Sequence, residues 1–353
     1  MKTYIVKPGD TIHKVAYHHQ IRPFDLLIFN PQLITDSDYI YPGDAINIPQ
    51  VKQEKQQVRP SFEYEYGPVD LEYDVNELQR LYSRYMKTTT IGYSVMGKPI
   101  MMVKIGTGKK EVFYSGAWHA NEWLTGKFLM MFLKQCLHHI ATDEKWFAYD
   151  LRAIFKEVTL VIVPMVNPDG VELVQQGIYP DHPYFEEVLY INKGARRFDH
   201  WSSNIRGVDL NHQWPAGWDI EAKESPQEPW PRHYSGQAPL TEPEAKAIYN
   251  ITNQHQFAYV LAFHSQGQVI YWGYRGYEPD ESKEMVTKLS LASSYEPIHT
   301  ADSDGGYKDW FIQETGRPGF TIEVGNGTNP LPLSAFSEIW SNNAKLALAG
   351  LCL

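Results

Sequence analysis

Tyr114-Ser115-Gly116-Ala117-Trp118-His119-Ala120-Asn121-Glu122-Trp123 follows a β-branched and aromatic run, Glu111-Val112-Phe113-Tyr114, and precedes a long apolar stretch from Leu124 to His139. It reads as the exit from a strand into a helix. A histidine and a carboxylate three residues apart can aim at one centre, across a helical turn or from a tight strand-to-helix bend. Alone the pair carries little weight, because a chain with 13 histidines holds roughly one His-x-x-Glu by chance. Two further stretches add weight. Leu261-Ala262-Phe263-His264-Ser265 ends an apolar strand in a histidine, and Phe320-Thr321-Ile322-Glu323-Val324-Gly325 sets a carboxylate inside another. A charged residue in a run that otherwise favours burial needs a partner or a function.

The 353 residues, 43% of them hydrophobic, suffice for one large core and a small second module. A formal net charge of −10 argues against nucleic acid or an anionic membrane as the main partner, since both demand basic patches. The chain contains no apolar run long enough to span a bilayer. Its first ten residues lack the apolar core of a signal peptide, so action inside the cell, in a developing spore or at the cell wall after release is expected. Cys136 and Cys352 have no framework spacing and are expected as free or buried thiols.

Residues 1–50 have their own grammar: strand, helix, helix, strand. Tyr4-Ile5-Val6 leads to a Pro8-Gly9-Asp10-Thr11 turn that can cap a helix, Asn30-Pro31 stops a second helix, and Ala45-Ile46-Asn47-Ile48-Pro49 closes the unit. These motifs closely resemble the LysM module. The resemblance implies binding to polymers containing N-acetylglucosamine, peptidoglycan or chitin, through a shallow groove involving Gly9, Asp10, Thr11, Asn30 and Pro31. The polar stretch 51–68 has the composition of a linker.

From residue 69 the pattern is α/β. Val75–Tyr85 and Leu124–His139 fit helices; Ile100–Ile105, Val112–Ser115 and the doubly buried Val158–Val166 fit strands. A mixed, mostly parallel sheet covered by helices on both faces is expected, with ligands at the carboxyl ends of its strands. Residues 168–240, irregular and rich in Trp, Tyr, Pro and Arg, would supply the loops there.

Two imidazoles and a carboxylate make the three-ligand set of catalytic zinc, with a further carboxylate to take a proton from water. Here the chain resembles the zinc carboxypeptidases, on His119-x-x-Glu122, Asn167-Pro168-Asp169-Gly170, Gly207-Val208-Asp209-Leu210-Asn211, His264-Ser265 and Thr321-Ile322-Glu323. The resemblance implies one zinc ion held by His119, Glu122 and His264, Glu323 as general base, Asp209 as the partner orienting His119, and Asn211 holding a substrate carboxylate. Two departures bear on substrate. The family's arginine clamp for a C-terminal carboxylate is His212 here, and its oxyanion-stabilising arginine is Ser202, leaving Arg196, Arg197 or Arg206 to supply that charge. Lys308, in Gly305-Gly306-Tyr307-Lys308-Asp309-Trp310, falls where the family's specificity pocket has its floor; Tyr307 is either a hydroxyl donor to the scissile region or a packed aromatic. A cation in that pocket would select a side chain bearing a carboxylate. The whole resembles the branch cleaving γ-D-glutamyl-diamino acid bonds in peptidoglycan stem peptides.

Overall fold

The computed structural model describes residues 2–49, 64–300 and 303–353. Its amino-terminal module consists of β1 (Lys2–Ile5), α1 (Ile12–His18), α2 (Pro23–Phe29) and β2 (Ala45–Ile48), with β1 and β2 antiparallel. Thr11 caps α1 by accepting the Lys14 N–H, and Pro23 opens α2 where its missing N–H costs nothing. Val6, Ile12, Val15, Leu26, Ile46 and Ile48 form its small core.

The larger body runs α3 (Pro68–Tyr82), β3 (Met86–Tyr93), β4 (Pro99–Ile105), β5 (Lys110–Ser115), α4 (Trp123–Thr142), α5 (Leu151–Glu157), β6 (Val158–Val163), α6 (Pro168–Gln176), α7 (Phe185–Ile191), α8 (Trp218–Glu224), α9 (Pro243–Gln254), β7 (Tyr259–His264), β8 (Val269–Tyr271), α10 (Glu281–Ser293), β9 (Glu296–Ile298), α11 (Tyr307–Thr315), β10 (Gly319–Glu323) and α12 (Phe336–Gly350). Eight strands pair in the order β3-β4-β6-β5-β7-β10-β8-β9. The central run β6-β5-β7-β10 is parallel; β3, β4 and β8 are antiparallel to their inner neighbours. Every residue of β6 and β7 is buried, as strands covered on both faces require. Alternation along β5 divides the two cores. Val112 and Tyr114 join the layer of α3, α4 and α12, and Phe113 joins that of α9 and α11.

The two modules are in close contact. The buried Gln176 amide oxygen accepts the Gly9 N–H at 3.1 Å, and the Lys14 ammonium, 2% exposed, reaches both Gly9 O and Asp70. Gly9 adopts φ +87°, and a side chain there would also strike Val69. On the other loop the Tyr39 hydroxyl donates to Val174 O, its ring lies against Phe198, and Arg197 donates to Ser37 O. Most of the stretch read as a linker lies outside the described residues. Its last part belongs to the body: Tyr66 is buried, Lys127 donates to Tyr64 O, and α3 starts at Pro68.

Candidate metal centre and substrate cleft

β5 ends at Ser115, and the chain turns through left-handed Ala117 (φ 47°), whose N–H donates to Thr125 Oγ1 at 2.7 Å. The bend is fastened to its neighbour, since Gly116 N donates to Val163 O and Asn167 N to Ala117 O. Asn167 caps α6 and its amide donates to Trp118 O and Ser203 O. Gly170 admits this packing; a Cβ there would stand 2.7 Å from Ser203 O. The Asn-Pro-Asp-Gly motif thus fixes the loop that carries His119.

His119 Nδ1 lies 2.9 Å from Glu122 Oε1, His264 Nδ1 lies 3.1 Å from Glu122 Oε2, and the two Nδ1 atoms are 3.4 Å apart. A tetrahedral zinc with bonds of ~2.1 Å holds its ligand atoms about 3.4 Å apart, so the donor set fits the ion. His119 Nε2 donates to Asp209 Oδ1 at 3.0 Å, which leaves the Nδ1 lone pair facing the centre. Burial lowers the His119 pKa, but Glu122 and Asp209 outweigh it and hold it well above the ordinary imidazole value. Burial likewise works against Glu122, yet His119 and His264 bring its carboxyl down to about 2. The Asn329 amide and the Ser265 N–H also reach Glu122, at 3.4 and 3.2 Å. Neither Asn329 nor Asn121, which anchors the loop to Asp199 O, stood out in the sequence.

Strand register places the general-base candidate. Glu323 on β10 is the partner of His264 on parallel β7. Without metal, burial and the Glu122 charge push its carboxyl well above the usual range; a divalent cation at the centre opposes both effects. Glu323 shares a cavity of about 220 Å³ with Asn211, His212, Lys308 and Asp309. The Asn211 side-chain oxygen accepts the Tyr307 N–H. The Lys308 ammonium, 5% exposed, donates to Gly273 O at 2.8 Å and pairs with Asp309.

Several sequence expectations change here. Tyr307 is a packed aromatic: fully buried, it stacks on Trp118 and places its hydroxyl 3.0 Å from Thr252 Oγ1, away from the cavity. None of the three arginines lines the cavity of Glu323. Arg196 lies over the Phe185 ring, Arg197 pairs with Asp199 and reaches Ser37, and Arg206 stands 3.6 Å from Glu242. The structure instead brings His233 to the site. Its N–H donates to Asp209 Oδ2, and its ring stacks on His212 at 5.6 Å. No spacing in Pro231-Arg232-His233-Tyr234 signals this. The glycan groove is altered too: Gly9 is committed to Gln176, Thr11 donates to Glu65, and Asn30 is fully buried, tying α2 to Asn47. Asp10 accepts from the Tyr4 hydroxyl and the Lys7 N–H; Pro31 is exposed.

Sheet order and metal centre together point to one class of enzyme, a zinc-dependent metallopeptidase with the carboxypeptidase fold. The chain belongs to the zinc carboxypeptidase family, whose sequence model matches residues 71–346, and it carries a LysM domain at residues 4–49. It is 46% identical over 280 residues to gamma-D-glutamyl-L-diamino acid endopeptidase 1 of Lysinibacillus sphaericus, covering 79% of this chain and 70% of that one. It is 37% identical over 261 residues to the uncharacterized protein YqgT of Bacillus subtilis strain 168, covering 73% and 69%. Among solved structures, bovine thrombin-activatable fibrinolysis inhibitor in complex with tick carboxypeptidase inhibitor superposes with a TM-score of 0.65 at 18% identity, covering 83% of this chain and 98% of that one.

Proposed function

We propose that the enzyme hydrolyses the bond between γ-D-glutamate and meso-diaminopimelate in peptidoglycan stem peptides, and that its LysM domain brings it to the cell wall. The observation carrying this reading is the buried Lys308 ammonium in the cavity of Glu323. Gly273 O and Asp309 engage two of its protons, leaving one donor for a substrate carboxylate. Asp304, paired with Arg275 at the edge of the same space, adds a carboxylate there that suits an ammonium. Diaminopimelate ends in both groups; lysine offers only the ammonium. His212, beside Glu221 at 3.3 Å, replaces the bidentate clamp that ordinary C-terminal trimming uses, which disfavours a general carboxypeptidase. The relative's endopeptidase name agrees with this reading. With Gly9 and Thr11 engaged in docking, exposed apolar side chains of the module, Phe24, Ile28 and Ile34 among them, are left to meet the wall.

Zinc, when bound, polarises the scissile carbonyl and acidifies water. Glu323 accepts the proton of the attacking water and delivers it to the departing diaminopimelate amine. Asn211 and His212 hold the carboxylate next to the cleaved bond, and Lys308 fixes the far end of the side chain. Purified tripeptides L-Ala-γ-D-Glu-X, with X either meso-diaminopimelate or lysine, test the reading. Release of L-Ala-D-Glu from the first is expected, with kcat/KM at least ~100-fold above the second, because a site built for a polar group rejects an analogue lacking it. Cleavage of ordinary C-terminal residues alone would reject it.

A further inference from the structure

A scissile bond at the metal has two sides, and the Lys308 cavity accounts for one. A second cavity, about 290 Å³, opens between the modules and, among the described residues, shares no lining with the first. Its body side adjoins the metal centre along the chain. Trp123 follows Glu122; Pro330 follows Asn329, which donates to Glu122; Asp199 accepts from Asn121 through its carbonyl. Its other side comes from the LysM domain, through His13, Asp36, Ser37 and Tyr39. Among the described residues, Asp36, Glu65 and Asp199 face one guanidinium, Arg197, and one histidine, an excess of acid. Glu65 lies 3.0 Å and Asp36 3.5 Å from His13, and Asp199 is paired with Arg197. Asp36, the most exposed of the three, is the acid best placed to take another cation.

We propose that this inter-module cleft is the subsite for the acyl side of the substrate, seating the L-alanyl residue with its free ammonium beside Asp36. The LysM domain is then one side of the substrate cleft and a determinant of specificity, beyond any role in wall binding. The inference rests on the substrate reading above. It is distinct from glycan capture: the residues facing the cleft are not those expected to line a glycan groove, and the acidity favours a cation over a neutral sugar.

The full-length zinc-loaded protein, Asp36→Asn and Ser37→Trp are compared on L-Ala-γ-D-Glu-meso-diaminopimelate, its N-acetyl form, and γ-D-Glu-meso-diaminopimelate lacking alanine. The unmodified protein should favour the free tripeptide over the acetylated one about tenfold, the worth of one charge-assisted hydrogen bond. Asp36→Asn should erase that preference. Ser37→Trp should lower kcat/KM for the tripeptide about tenfold while leaving the shorter substrate within about twofold, a split that loss of folding cannot produce. Equal effects on both substrates, or indifference to acetylation, would overturn the proposal. Should the unmodified protein cleave none of the three, the substrate reading fails by itself. Calorimetry with L-alanyl-γ-D-glutamate then decides the cleft: binding weakened by Ser37→Trp sustains it, and absent or unchanged binding rejects it.

Discussion

Asp209 decides which nitrogen of His119 meets the metal, because its 3.0 Å bond fixes the proton on Nε2. His264 lacks such a partner: its Nε2 is buried and unbonded among the described residues. Orientation of the His119 imidazole therefore leans on one carboxylate, and Asp209→Ala should weaken zinc affinity roughly 10- to 100-fold, measured by metal content after chelator dialysis. Retention equal to the unmodified protein would show that packing alone orients the ring. Glu323→Gln should keep its zinc and lose roughly 10²- to 10⁴-fold in kcat; parallel loss of metal would instead make Glu323 a ligand. A third carboxyl governs stability. Glu244 is fully buried, accepts the Val95 N–H, and is raised by burial to about 7. The folded state thus holds a proton that the unfolded state releases between about pH 4.5 and 7, so stability falls as pH rises through that window. Glu244→Gln should flatten the slope and raise stability at pH 8 by up to about 3 kcal/mol, with little change at pH 4. His119, Glu122, His264 and Glu323 were readable because each interrupts an apolar strand or its exit. The fates of the arginines were not, since a guanidinium reaches whichever of several carbonyls or carboxylates the fold brings near.

The parallel centre of the sheet announces itself through β-branched, doubly buried runs such as Val158–Val163. Its margins do not. β3, with Lys87 and Thr89 alternating toward solvent, and the three-residue β8 and β9 carry too little apolar pattern to stand out. Helix α3 also starts seven residues before the expected Val75, because Pro68 and Asp70 supply the opening turn ahead of the apolar stripe. The turn joining β6 to α6 offers the sharpest test at this level. Asn167→Ala removes the cap of α6 and leaves the carbonyls of Trp118 and Ser203 without the amide they share. The expected loss is about 2–4 kcal/mol by denaturant unfolding, together with weaker zinc retention as the His119 loop loosens. Destabilisation with metal affinity intact would separate that motif from the centre.

Two folded parts on a tether was the picture suggested by the composition of residues 51–68; the contacts of Gly9, Lys14 and Tyr39 instead join them into one body. No periodicity reports such an interface, because its residues obey the internal rules of their own module. Lys14→Ala should cost about 1–3 kcal/mol by taking from Asp70 and Gly9 O the ammonium they share. Heating the unmodified protein should give a single calorimetric transition; two well-separated ones would show the modules melting independently. Clamping has a mechanical corollary. A catalytic head on a leash could reach stem peptides over a wide radius from its anchor, whereas this cleft is held like a jig, at a set offset and angle from whatever residues 2–49 grip.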